Sequence, residues 1–128
     1  MFYIEAFSAW LTDQGVTAPH AYNRTPMLPD RIVTITETGG PPSIDLEDAT
    51  EIVALQIRCR SPEDAPHEAR DLALQIDRIV MDAPRNSFSL AGYRVISTGR
   101  MGGRPAYMST DHQERTTYVC NYWLEIER

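Results

Sequence analysis

Lysine does not occur in this chain, and all twelve basic side chains are arginine. Eighteen acidic residues outweigh them, leaving a formal net charge of −6. A protein short of cations is poorly suited to holding nucleic acid by phosphate neutralisation, so nonspecific DNA or RNA binding is not expected. The arginine bias fits a GC-rich coding sequence. It also suits protein–protein contact, where planar guanidinium groups pair with carboxylates. Long apolar runs are missing too, and no stretch approaches the ~18 residues that a membrane span requires. The opening MFYIEAFSAW lacks a basic start and carries Glu5, so no secretory leader is expected. Cysteine is limited to Cys59 and Cys120, far apart in sequence and in no CxxC pair. Without export they are expected to be reduced thiols packed in strands.

Catalytic patterns are equally scarce. His20, His67 and His112 are scattered, none at helical spacing from a second ligand, and surface positions are expected for them. No metal site or cofactor is therefore expected. Ser109, Asp111 and His112 contain the residue types of a hydrolase trio. Neighbours in a polar turn rarely converge on one reacting atom, and no G-x-S-x-G elbow accompanies them. Gly39-Gly40 and Gly102-Gly103 lead into proline or arginine-proline rather than into a helix with a lysine, so they read as turns, not phosphate loops. The acids Asp45, Glu47, Asp48 and Glu51 lack the glycine and terminal glutamate of a calcium loop and read as a solvated acidic segment.

What is present is regular patterning. At 128 residues, with 42% apolar and 23% charged side chains, the chain is expected to form one globular domain with its own core. Tyr3, Phe7, Trp10 and Leu11 mark a short helix over Phe2–Gln14, with Gly15 as its stop. Val16–Asp30, with three prolines, reads as an ordered loop whose Tyr22, Met27 and Leu28 lie against something. Arg31–Thr38 alternates as a strand with Val33 and Ile35 inward, ended by Gly39-Gly40-Pro41-Pro42, and Ser43–Thr50 follows as an acidic linker.

The most regular segment is Ile52–Ala83. Val53, Leu55, Ile57 and Cys59 fall on one face of a strand, with Gln56, Arg58 and Arg60 on the other. A helix over Glu63–Ala83 follows, with Ser61 as cap, Pro62 in its first turn and Pro84 as its stop; Pro66 allows a later start. Ala69, Leu72, Ala73, Ile76, Ile79 and Val80 form its core stripe. Leu74 and Met81 lie off that stripe, flanked by Arg70 and Arg78, and form a candidate subunit interface.

Phe88–Arg100 with a bend at Gly92, Ala106–Ser109, and Thr116–Glu127 complete the strands. The last places Tyr118, Cys120, Tyr122, Leu124 and Ile126 on one face. The fold class expected is α+β: a mostly antiparallel sheet of about four to five strands packed against a central helix and a short N-terminal helix.

Leu28-Pro29-Asp30-Arg31 leading into Ile32–Ile35, then Gly39-Gly40-Pro41-Pro42, Leu55–Arg60 and the Ala/Leu-rich helix follow a recognisable order. So do Tyr93–Ser97, Arg104–Met108 and Tyr118–Glu125. In this order and at this length the chain resembles the minor capsid or tail terminator proteins of long-tailed bacteriophages, of the actinophage type. The resemblance implies a hexameric ring that caps the tail tube, stops its polymerisation and joins the tail to the head connector. The partners implied are further copies of the chain, the major tail tube protein and the connector or stopper protein. Genome DNA would pass through the lumen without specific binding, and no membrane is involved. The place implied is the tail–head junction of the virion, assembled in the host cytoplasm. No catalytic residue is carried over. Candidate contacts with tube or connector are Arg100, Arg104, Tyr107 and Met108, together with Tyr22 and Met27 of the proline-rich loop. The alternatives are a head-completion or other neck protein, a small hydrolase using Ser109, Asp111 and His112, and a monomeric module that binds an extended peptide at a sheet edge.

Overall fold

The spine of the sheet is set by the two longest alternating segments. In the computed structural model, which describes residues 2–39, 50–83, 88–90 and 92–127, these are β3 (Thr50–Ser61) and β7 (Thr116–Glu127). They pair antiparallel along their whole length. The register sets Val53 opposite Leu124, Leu55 opposite Tyr122 and Ile57 opposite Cys120, so both apolar faces fall on the same side.

The remaining elements are α1 (Phe2–Asp13), β1 (His20–Tyr22), β2 (Ile32–Gly39), α2 (His67–Met81), β4 (Phe88–Leu90), β5 (Tyr93–Arg100) and β6 (Ala106–Thr110). The strand order is β1-β2-β3-β7-β5-β4, with β6 also on β7. β5 pairs with the C-terminal half of β7 and β6 with its N-terminal half, so both occupy the edge away from β3. They act as one strand interrupted at 101–105. The α+β, mostly antiparallel class stands. The described residues hold seven strands rather than four or five. The additions are β1, three residues long and too short to show a period of two, and the division of the Phe88–Arg100 strand at its Gly92 bend into β4 and β5.

The core gathers on the helical side of the sheet. Val33, Ile35, Val53, Leu55, Ile57, Cys59, Tyr122, Leu124 and Ile126 pack there against Ile4, Phe7 and Leu11 of α1 and Ala73, Ile76 and Val80 of α2. Gly15 stops α1 as expected, with φ of 102°. Its N–H reaches the Thr12 carbonyl at 3.0 Å and that of Val16 reaches Leu11 at 3.0 Å, a Schellman closure with Val16 and Leu11 both buried. Both cysteines are free and buried.

Three expectations are corrected. Helix α2 starts at His67 with Pro66 in the cap position, and Ser61 does not cap it. Ser61 ends β3, and its hydroxyl donates to the Pro66 carbonyl at 3.4 Å. Proline at 66 forbids an N–H bond to the preceding turn, which explains the late start. The Val16–Asp30 segment contains a strand, β1, parallel to β2, and its Tyr22, Met27 and Leu28 side chains are exposed rather than packed. In β5 a register shift between Val95 and Ser97 breaks the simple alternation read from sequence. The segments read as Gly40-Pro41-Pro42, the acidic linker with Asp45, Glu47 and Asp48, and the stop at Pro84 lie outside the described residues.

One glycine is required by close approach. A Cβ at Gly99 would sit 2.6 Å from the indole of Trp123, its cross-strand partner. The ring therefore lies flat over Gly99 on the sheet face away from the helices.

Candidate protein-interaction surface

Beyond β1 the chain crosses the sheet face opposite the helices before entering β2. Three arginines from that side hold the segment by its backbone. Arg58 donates to the Asn23 carbonyl at 2.9 Å. Arg60 donates to the carbonyls of Met27 at 3.2 Å, Pro29 at 2.7 Å and Asp30 at 3.0 Å. Arg115 donates to the Met27 carbonyl and, at 3.2 Å, to the Asp30 carboxylate. Arg60 and Arg115 are only 6% and 5% exposed. Burial, then the neighbouring Arg115 charge, lowers the Arg60 pKa, while Asp111 and Asp30 act the other way. A buried guanidinium is costly unless its donors are satisfied; here backbone oxygens of one loop serve Arg60, and one of those oxygens with the Asp30 and Asp111 carboxylates serves Arg115.

The result is a fixed loop whose tip faces water. Met27 is 65% exposed and Leu28 is 72% exposed. Arg115 also joins this loop to the β6–β7 turn: its Nε donates to Asp111 at 2.8 Å, and its own N–H and that of Gln113 bond the same carboxylate at 3.0 and 2.9 Å. Tyr107 and Met108 are 57% and 48% exposed on β6, which leads into that turn. Two candidate contact sets that are far apart in sequence thus meet at one end of the sheet, where β7 begins. Tyr22 is exposed at the edge strand β1, and Arg104 is exposed in the 101–105 turn.

Arg100 takes a different role. Its Nε and a terminal nitrogen bond the Asp77 carboxylate at 2.9 and 2.5 Å, and the Tyr122 hydroxyl donates to Asp77 at 2.8 Å. The Arg100 hydrogen bond is the chief cause that holds Asp77 below the usual carboxylate range, against the effect of its burial. Burial, aided by the Asp77 charge, raises the Tyr122 phenol. This node pins α2 to β5 and β7 and leaves Arg100 little freedom to meet a partner.

On α2, Leu74 is half-buried, Met81 is exposed, and Arg70 is exposed beside Asp71 at 3.3 Å. Arg78 is exposed and makes no ion pair among the described residues. It lines a cleft of about 340 Å³ with Ile79 of α2, Asp82 and Ala83 just beyond it, Trp10 and Gln14 at the end of α1, and Phe88 of β4. The Trp10 and Phe88 rings stack in its wall with centroids 4.4 Å apart and an interplanar angle of 15°. A larger depression of about 540 Å³ lies between Thr17–Pro19 and α2, walled in part by Asp71 and the Arg31–Glu68 ion pair.

The hydrolase trio does not assemble. Asp111 spends both oxygens on Arg115 and on turn N–H groups, while His112 and Ser109 are exposed. His20 is not a surface histidine: it is half-buried, with Nδ1 2.5 Å from the Ser8 hydroxyl.

Sequence reasoning missed Arg60, Arg115 and Asp77. Asp77 carried a legible signal, since it lies four residues after Ala73 and three before Val80, inside the apolar stripe. The grip of Arg60 and Arg115 on the loop carried none, because the carbonyls they hold are about 30 and 90 residues away; only the Asp111–Arg115 pair, four residues apart, is local.

The fold is shared with solved structures at low identity. A chain from a structure titled virion of native gene transfer agent particle superposes with a TM-score of 0.64 at 14% identity, covering 96% of this chain and 92% of that one. A second structure, whose title describes no activity, gives a TM-score of 0.59 at 15% identity, covering 99% and 92%. No curated protein matches the sequence. The family model described as bacteriophage tail terminator protein matches residues 10–128, nearly the whole chain. By that match the chain belongs to the bacteriophage tail terminator family.

Proposed function

We propose that this protein works as a hexameric ring at the tail–head junction of a phage virion, where it caps the tail tube, halts its polymerisation and joins it to the head connector. The family match over residues 10–128 carries this reading. The likeness of fold to a chain of a gene transfer agent virion particle is consistent with a place in a tailed particle. A closed ring needs two different surfaces on each protomer, because a head-to-tail contact repeats around an axis. A net charge of −6 also suits a lumen that DNA traverses without being gripped.

The test adds purified protein to polymerising tail-tube subunits and measures tube lengths by negative-stain microscopy. Tubes are expected to shorten, with this protein at one end only. Unchanged tube lengths in the presence of folded protein would remove the terminator role. A head-completion or stopper ring, the neighbouring role, would instead bind the connector and leave tube length alone.

A further inference from the structure

The geometry points to a specific subunit contact: the Met27–Leu28 tip of one copy inserts into the cleft between Trp10, Phe88 and Ile79 of the next. This rests on the ring proposed above and supplies its seam. The tip is apolar, exposed and already fixed in shape, because Arg60 and Arg115 hold the carbonyls of Met27, Pro29 and Asp30. Ordering a loop on binding consumes affinity, and a loop ordered beforehand avoids that loss.

The cleft fits the tip in chemistry. Its wall is a stacked pair of aromatic rings, against which a methionine thioether packs favourably. Arg78 at its rim has no ion-pair partner among the described residues, and Asp30, still half-exposed, stands beside the tip. Asp30 already accepts from Arg115 at 3.2 Å, but its half-exposed carboxylate leaves room for Arg78 as a second partner across the contact. The larger depression near α2 is a worse host, because apolar side chains there would strip water from Asp71 and the Arg31–Glu68 pair.

One copy cannot fill its own cleft. The tip is anchored by Arg115, just before β7 begins, while Phe88 lies opposite Val95, which pairs with Ile126 at the far end of β7. Eleven residues of strand separate Arg115 from Ile126, roughly 35 Å at ~3.3 Å per residue. Tip and cleft are different surfaces at opposite ends, so the contact is heterologous and repeats in one direction, as a ring requires. Leu74 and Met81 lie on the other side of Arg78 from the cleft and would border the seam.

Two variants, Leu28→Cys and Ala83→Cys, are mixed and oxidised, both at high protein concentration and on assembled tubes. A covalent link joining one variant to the other is expected, with no link when either is oxidised alone. In parallel, Leu28→Asp is expected to weaken self-association by about 100-fold, in the range of a hot-spot residue, while thermal unfolding stays close to wild type. A Leu28→Cys homodimer overturns the proposal, as does the absence of any mixed link. So does a Leu28→Asp protein that still forms wild-type oligomers but no longer shortens tubes, which would place the tip on the tube. Tube shortening by the unmodified protein is scored separately, so a failed seam and a failed terminator role give different results.

Discussion

Replacing Asp77 by alanine tests the node that fixes α2 on the sheet. Asp77 is 7% exposed and accepts from Tyr122, whose side chain is fully buried, and from Arg100. Its loss takes the charged acceptor from the buried Tyr122 hydroxyl and leaves it only the weak sulfur of Cys120, a cost of about 1–3 kcal/mol. The Arg100 side chain is 30% exposed and can turn to water, so its share is small beside that of the buried phenol. The expected destabilisation is about 1–3 kcal/mol, read from urea unfolding at pH 7. Adding Tyr122→Phe to Asp77→Ala removes the stranded hydroxyl. The double variant should therefore cost less than the sum of the two single ones, with a coupling of about 1–2 kcal/mol. Acid provides a second readout. The folded pKa of Asp77 is depressed, so its stabilisation is complete above the unfolded value of about 3.9 and is lost as pH falls below that through the folded pKa. Asp77→Ala should flatten this part of the acid-unfolding curve. Additive effects in the double variant, or an unchanged acid limb, would refute the node as described.

Gly99→Ala should cost about 1–3 kcal/mol by pushing the Trp123 ring off the sheet, and Trp123→Val in the same background should recover most of that loss in chemical denaturation. Burial lowers the pKa of His20, so the unfolded chain takes up its proton first. Stability should accordingly be full above about pH 6.5 and decline as pH falls below it, with His20→Gln removing that slope in thermal melts. Arg115→Ala removes the side-chain donor to Asp30 and Asp111 and one of the two donors to the Met27 carbonyl, leaving Arg60 on that carbonyl and the turn N–H groups on Asp111. It should cost about 1–3 kcal/mol and speed amide exchange in the 23–31 loop and the 111–115 turn. Arg115→Lys should not restore protection, because an ammonium cannot span the same fork of acceptors.

The elements that proved legible in the sequence share one property: their signal is local. The alternation of Val53, Leu55, Ile57 and Cys59 and the matching run in β7 are fixed by the two-residue period of a strand. The stripe Ala69, Ala73, Ile76 and Val80 is fixed by the helical period, and Gly15 by its left-handed backbone. The strand β1 was illegible because three residues carry no period and it exists only through its pairing with β2. Candidate contact residues divided in the same way. Met27, Tyr107 and Met108 are exposed apolar side chains at one end, but Arg100, similar in sequence to any surface arginine, is held by Asp77.

The sequence alone therefore determined the α+β class, the core faces of the long strands and helices, and a family resemblance spread along the chain. The class and the core faces depend on residues within a turn or two of one another, and the resemblance on the order of such segments. Only the tertiary structure decided that Arg60 and Arg115 would turn inward to hold a loop. It also brought Met27 to the same end as Tyr107, and set an aromatic cleft at the opposite end. Hydrogen bonds from a guanidinium to backbone carbonyls leave no mark on the identity of the residues that supply those carbonyls. Such contacts become visible only when the chain is folded.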